Sequence, residues 1–140
     1  MPDDGEKRSW LDIFCLIADQ IDHSIMLVDM NVPKLPLAFC NHAAEVLTGY
    51  EKHEMMGRNC KFLQGKKTQG AAVRAFAKAV REATESTVVC TNFRKDGSQF
   101  KNLVALQPIF HDDESKVGYQ YSVAIQCEYC LLYTSPSPRD

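Results

Sequence analysis

The last third of the chain constrains the fold most. The strand-like runs "STVVCTNFR", "SQFKNLVALQPIF" and "VGYQYSVAIQC" follow one another, the first two joined by the turn "KDGS". So short a connection permits only an antiparallel hairpin. Upstream, "GAAVRAFAKAVREA" is the longest helical pattern and is rich in Ala. In "SWLDIFCLIADQID", Leu11, Phe14, Cys15, Ala18 and Ile21 recur at helical spacing after a Ser9 cap, which predicts a short amphipathic helix. "SIMLVD" and "LAFCN" read as two strands linked by "MNVPKLP"; Asn41 caps a helix "HAAEVLTG" that stops at Gly49, and "EKHEMMG" adds a turn or two ending at Gly57. The order is β-β-α-α-α-β-β-β behind a leading helix, an α+β chain without internal repeats.

With 140 residues, 45% of them hydrophobic, the chain holds one compact domain. Its net charge is −2 and its sixteen Lys and Arg are dispersed, so no basic face points to nucleic acid. No apolar run reaches about 18 residues, and the start "MPDDGEKRSW" is not a signal peptide, so neither membrane insertion nor export is expected. The expected location is cytoplasmic or nuclear. Cys15, Cys40, Cys60, Cys90, Cys127 and Cys130 are scattered and read as reduced thiols; Cys127-x-x-Cys130 lacks the second pair of a zinc site, so no metal is expected. The end "CLLYTSPSPRD", residues 130–140, resembles read-through of a sequencing adapter. Residues 1–22 are therefore read as a flanking helix, 23–127 as the domain and 128–140 as a disordered tail.

Strand parity places the polar residues. If the turn at Asp96-Gly97-Ser98 pairs Lys95 with Gln99, Asn92 lies across from Asn102, and both amides share a face with Val88, Cys90, Val104 and Leu106. Ser122, Ala124 and Gln126 alternate in the same way on the third strand. Three carboxamides on an apolar surface demand partners. These are either backbone, bulges and water, or a planar heterocycle whose carbonyls and N–H match groups that donate and accept at once.

The stretch "GRNCKFLQG", residues 57–65, together with the three amides, resembles the signature of LOV (light-oxygen-voltage) domains, the flavin-binding photosensory branch of the PAS family. The resemblance runs from about His23 to Phe110 and resumes at "YQYSVAIQ". It implies a PAS-like five-stranded antiparallel sheet with helices on one face and a bound FMN. It implies also that Cys60 forms a reversible bond to flavin carbon C4a under blue light and that Gln126 exchanges hydrogen bonds at flavin N5. Asn59, Lys61, Leu63, Gln64, Val73, Arg74, Phe76, Asn92, Asn102, Val104, Leu106, Ser122, Ala124 and Val28 are the further cofactor contacts it implies. A neutral thiol in an apolar pocket stays inert in the dark, which suits this chemistry. The signal would leave through the last strand to a flanking helix or effector, and the leading helix and sheet face would support a homodimer. The family also implies a surface ion pair between Glu54 and Lys95.

The chain departs from the pattern at several positions. Lys61 stands where Arg is usual, Ala77 where relatives place a phosphate-binding Arg, Val104 and Ser122 where phenylalanine is frequent, and Ala124 where glycine is. Arg74 and Arg81, a turn to either side, or Lys66 and Lys67 are candidates to replace the missing charge. The short link Gly65–Gly70 favours FMN over FAD. The alternative reading is a flavin-free PAS-type ligand-binding or interaction domain. A flavin redox enzyme ranks below both, since no nicotinamide site or acid/base pair is visible.

Overall fold

The computed structural model describes residues 9–112 and 114–129; the adapter-like segment 130–140, including Cys130, lies outside them. Helix α1 spans Trp10–Ala18, and its start is fixed by a reciprocal cap in which Ser9 Oγ accepts from Asp12 N–H at 3.2 Å and Asp12 accepts from Ser9 N–H at 3.3 Å. Strands β1 (Ser24–Asp29) and β2 (Leu37–Cys40) follow, then α2 (His42–Thr48), α3 (Lys52–Met55), a short 3-10 helix (Cys60–Leu63) and α4 (Gly70–Glu82). Helix α2 starts at Asn41 and ends at Gly49, whose φ of +80° is the left-handed conformation that glycine adopts without a Cβ penalty. Strands β3 (Ser86–Phe93), β4 (Gln99–Asp112) and β5 (Val117–Glu128) complete the chain. The last strand runs past the boundary expected at residue 127, and Tyr129 N–H donates to Lys101 O at 2.7 Å.

All pairings in the five-stranded sheet β2-β1-β5-β4-β3 are antiparallel. One face carries Met26, Val28, Val104, Leu106 and Ala124, packed against Ala44 of α2, Met55 of α3, Leu63 and Ala79 of α4. The other carries Ile25, Leu27, Phe39 and Val123, and α1 covers it with Leu11, Phe14, Cys15 and Ala18. The leading helix thus packs on its own chain's sheet, although Ile21, expected in its buried stripe, is 40% exposed.

Asn41 fastens the corner where α1, β1 and α2 meet. Its Oδ1 accepts from Ile25 N–H at 2.8 Å and Ala44 N–H at 3.1 Å, while its Nδ2 donates to Ala18 O at 2.8 Å and His23 O at 2.9 Å. A cap for α2 is therefore also a tie between the end of α1 and the start of β1.

The hairpin register corrects the expected one. Phe93 pairs with Gln99, so Asn92 lies opposite Phe100 and Asn102 opposite Cys90, not Asn92 opposite Asn102. The turn closes earlier because Arg94 N–H donates to Ser98 O at 2.8 Å and Gly97 N–H to Arg94 O at 2.9 Å. Each partner moves by two residues, an even slip that leaves every side chain on its expected face.

Candidate functional site

Between the sheet, the 3-10 helix, α4 and the β1–β2 loop lies a cavity of about 660 Å³, within the size range of small-molecule and cofactor sites. Of the residues singled out in the sequence, Val28, Asn59, Cys60, Lys61, Leu63, Gln64, Val73, Phe76, Asn92, Asn102, Val104, Leu106, Ala124 and Gln126 line it. Arg74 and Ser122 do not. The Arg74 guanidinium folds back over Gly70, as side chains leaning towards a helix amino terminus do; the cationic α4 residue at the cavity is Arg81, one turn beyond Ala77. Ser122 is buried on β5 between its ladder partners Val28 and Pro108, and the wall at this level is formed by Val28.

The sequence reading missed Met30, Lys34, Leu35 and Val80 as wall residues. Two signals were available: Met30 continues the alternation of Val28, and Val80 lies two helical turns from Val73. Lys34 and Leu35 have φ of +72° and +50°, and a connector read as "MNVPKLP" gives no sign of such a turn. Asn59 holds it in place. Its Nδ2 donates to Lys34 O at 2.8 Å, while its Oδ1 accepts from Lys61 N–H at 3.0 Å and so caps the 3-10 helix that carries Cys60.

The accessible part of Cys60 faces the cavity, and enclosure by the surrounding protein pushes its thiol up to about 12. A thiol so placed is neutral and unreactive as a nucleophile at ordinary pH. Cys40, buried nearby in the core, is also pushed to about 12, by burial first and by the neighbouring Cys60 second.

The polar floor is a chain of amides. Asn102 Nδ2 donates to Asn92 Oδ1 at 2.9 Å and to Gln126 Oε1 at 2.8 Å, joining β3, β4 and β5. Cys90 Sγ donates to the same Asn92 oxygen at 3.5 Å. Asn102 Oδ1 and Ser24 Oγ are buried side-chain atoms that lack a partner among the described residues. The Asn102 oxygen is an acceptor at the cavity floor that a ligand N–H would satisfy. Apolar walls, an amide floor and the cations Lys34, Lys61 and Arg81 fit a planar heterocycle with a hydrogen-bonding edge and an anionic tail.

A second cavity of about 420 Å³ lies at the carboxyl end of β5, lined by the α1–β1 connection, Ser24 of β1 and residues of α2 with Arg94 and Glu128, and Gln126 forms part of the wall of both cavities. Arg94 spans its edge, donating to Leu47 O at 3.1 Å and to Glu128 Oε1 at 2.8 Å. The Glu54–Lys95 ion pair is present on the surface at 2.6 Å.

The PAS-domain family pattern matches residues 22–126. The chain is 37% identical over 123 residues to "Blue-light-activated histidine kinase 2" of Erythrobacter litoralis, covering 88% of this chain and 32% of that protein. It is 33% identical over 123 residues to "Phototropin-1A" of Oryza sativa subsp. japonica, covering 88% of this chain and 13% of that one. Among solved structures, the LOV domain of the Erythrobacter litoralis blue-light activated histidine kinase superposes with a TM-score of 0.71 at 37% identity, covering 77% of this chain and 96% of that one. The chain belongs to the PAS family and, within it, to the LOV domains, the flavin-binding blue-light photosensory branch. It spans less than a third of the length of these two full-length relatives.

Proposed function

We propose that this LOV domain is a blue-light sensor that holds FMN in the 660 Å³ cavity and signals through its own side chains. The observation that carries the reading is a desolvated, neutral thiol at Cys60 facing the same cavity as the Asn92–Asn102–Gln126 amides, one of which has an unanswered acceptor. When bound, the flavin would supply blue-light absorption and an electrophilic C4a=N5 unit, and Cys60 would supply both the sulfur and the hydrogen for it, so that no external electrons would be needed.

The chain's contribution is placement. Asn59 fixes the start of the 3-10 helix and hence the position of Cys60. Asn92 and Asn102 orient a heterocycle edge, Val28, Leu63, Val73, Phe76, Val104, Leu106 and Ala124 hold its faces, and Lys34, Lys61 and Arg81 receive an anionic tail. Gln126 stands where an acceptor that becomes a donor is met by turning an amide, and its neighbour Asn102 provides the reference for that turn. This domain senses; catalysis belongs to effectors attached to it. The exposed Ile13, Leu16 and Ile17 of α1 and Val89 and Ile125 of the outer sheet face support contact with a second copy or with an effector. Among the described residues, no helix is long and apolar enough to cross a membrane, and the reading places the domain in the cytoplasm or nucleus.

Purified protein tests the proposal directly. It should be yellow, bleach reversibly under blue light without reductant, and release FMN on denaturation. A colourless protein that takes up no added FMN would overturn the reading in favour of a flavin-free PAS domain, whose amides satisfy one another as Asn92, Asn102 and Gln126 largely do.

A further inference from the structure

The amide chain on the cavity floor can run in two senses. As it stands, Asn102 Nδ2 donates to both neighbours, to Asn92 Oδ1 at 2.9 Å and to Gln126 Oε1 at 2.8 Å. Turned over together, the three carboxamides would make the same two contacts with donors and acceptors exchanged, since the two ends of an amide differ little in size. To a ligand the two senses differ. In the first, the buried Asn102 Oδ1 is a free acceptor; in the second, the free group at that point would be an N–H. The sense is therefore fixed by groups outside the three amides.

Two such groups touch the Asn92 end. The Thr91 carbonyl accepts from Asn92 Nδ2 at 3.3 Å, a long contact to an oxygen that already accepts from Thr68 Oγ1 at 2.6 Å. The other is Cys90 of β3, 2% exposed, whose Sγ donates to Asn92 Oδ1 at 3.5 Å. Cys90 lies two residues from Asn92 on the same face and pairs across the ladder with Asn102. It thus stands at the joint between the two asparagines without lining the cavity. Burial pushes its thiol up, against a downward pull from Lys101, so the sulfur keeps its hydrogen at ordinary pH. With the chain reversed, Asn92 would turn its N–H group towards a sulfur that accepts only weakly, and its oxygen towards the Thr91 oxygen.

We infer that Cys90 is a positioning residue that sets the polarity of the amide chain: its S–H pins the Asn92 oxygen, which keeps Asn102 donating along the chain and its oxygen free for a ligand N–H. The identity of that ligand rests on the flavin reading above; the orientation of Asn92 does not.

Cys90→Ser keeps a donor and Cys90→Ala removes it at nearly the same volume, so the pair separates the hydrogen from the packing. In the dark, the infrared difference between the parent and Cys90→Ser isolates the Cys90 S–H stretch, which should lie at the lowered frequency of a hydrogen-bonded thiol; a free-thiol frequency overturns the proposal. In flavin-free protein, the side-chain amide NMR signals of Asn92 and Asn102 should form one set in the parent and in Cys90→Ser, and should double or broaden in Cys90→Ala. One sharp set in Cys90→Ala overturns the proposal. Equal disturbance in both variants would assign the effect to packing and overturn it as well. FMN and riboflavin should each bind Cys90→Ala about two-fold more weakly than the parent, the lower end for one neutral hydrogen bond. A loss for FMN alone would place the effect at the phosphate and not at the amides. A parent that takes up no flavin removes the flavin reading, while the infrared and NMR results still decide the role of Cys90.

Discussion

Ala77 is the position where one substitution tests how the cavity holds an anionic tail. It lines the cavity on the face of α4 shared with Val73 and Val80, while Arg74 is folded away over Gly70 and Arg81 reaches the cavity from the next turn. Arg81 is not tightly committed elsewhere, its nearest carboxylate being Glu82 at 3.9 Å. Ala77→Arg would add a guanidinium between these two arginines, able to give a charge-assisted hydrogen bond to the FMN phosphate. Such bonds contribute about 1.5–3 kcal/mol. Residue 77 is exposed on the open side of the cavity, where solvent screens charge, so the lower end applies, about 1.5 kcal/mol or roughly ten-fold in affinity. Calorimetric titration of flavin-free parent and variant with FMN and with riboflavin reads the effect. FMN should bind about ten-fold tighter and riboflavin unchanged. Equal gains for both ligands, or none for FMN, would refute the reasoning and place the phosphate wholly under Lys61, Lys34 and Arg81.

Cys60→Ala should keep the flavin and its dark spectrum and abolish bleaching, because the other wall residues are untouched; absorbance under blue light checks this. Gln126→Leu should still bleach but lose the light-minus-dark amide side-chain signal in the infrared, since Asn102 loses an acceptor while Cys60 stays in place. The Cys60 and Cys40 thiols are raised from 9.0 to about 12 in the folded protein, so between those values the unfolded chain has released protons that the folded one retains. Stability should therefore be full below pH 9, fall as pH rises towards 12, and fall less steeply in Cys60→Ala, as denaturant titrations of flavin-free protein would show. Glu54→Gln removes an exposed ion pair to Lys95 and should leave FMN affinity unchanged.

Period and parity explain why so much was readable. Alternation put Asn92, Asn102 and Gln126 on one face even though the hairpin register was off by two, because an even slip preserves sidedness. Capping residues located α1 and α2 for a similar reason: Ser9 and Asn41 satisfy backbone groups that only a helix start leaves free. What stayed hidden depends on side-chain direction and on backbone turns without a periodic signature. Arg74 and Arg81 flank Ala77 almost symmetrically in sequence, but the lean of side chains along α4 brings only Arg81 to the cavity. Lys34 and Leu35 wall the site through left-handed conformations seldom taken by such residues, and their carbonyl partner, Asn59, is 25 positions away from Lys34.

That distant partnership gives one cavity wall and the seat of the thiol a common fastening. Asn59 holds the 34–35 turn with its amide nitrogen and the start of the 3-10 helix with its amide oxygen. A movement of that wall and a displacement of Cys60 are thereby coupled through a single side chain.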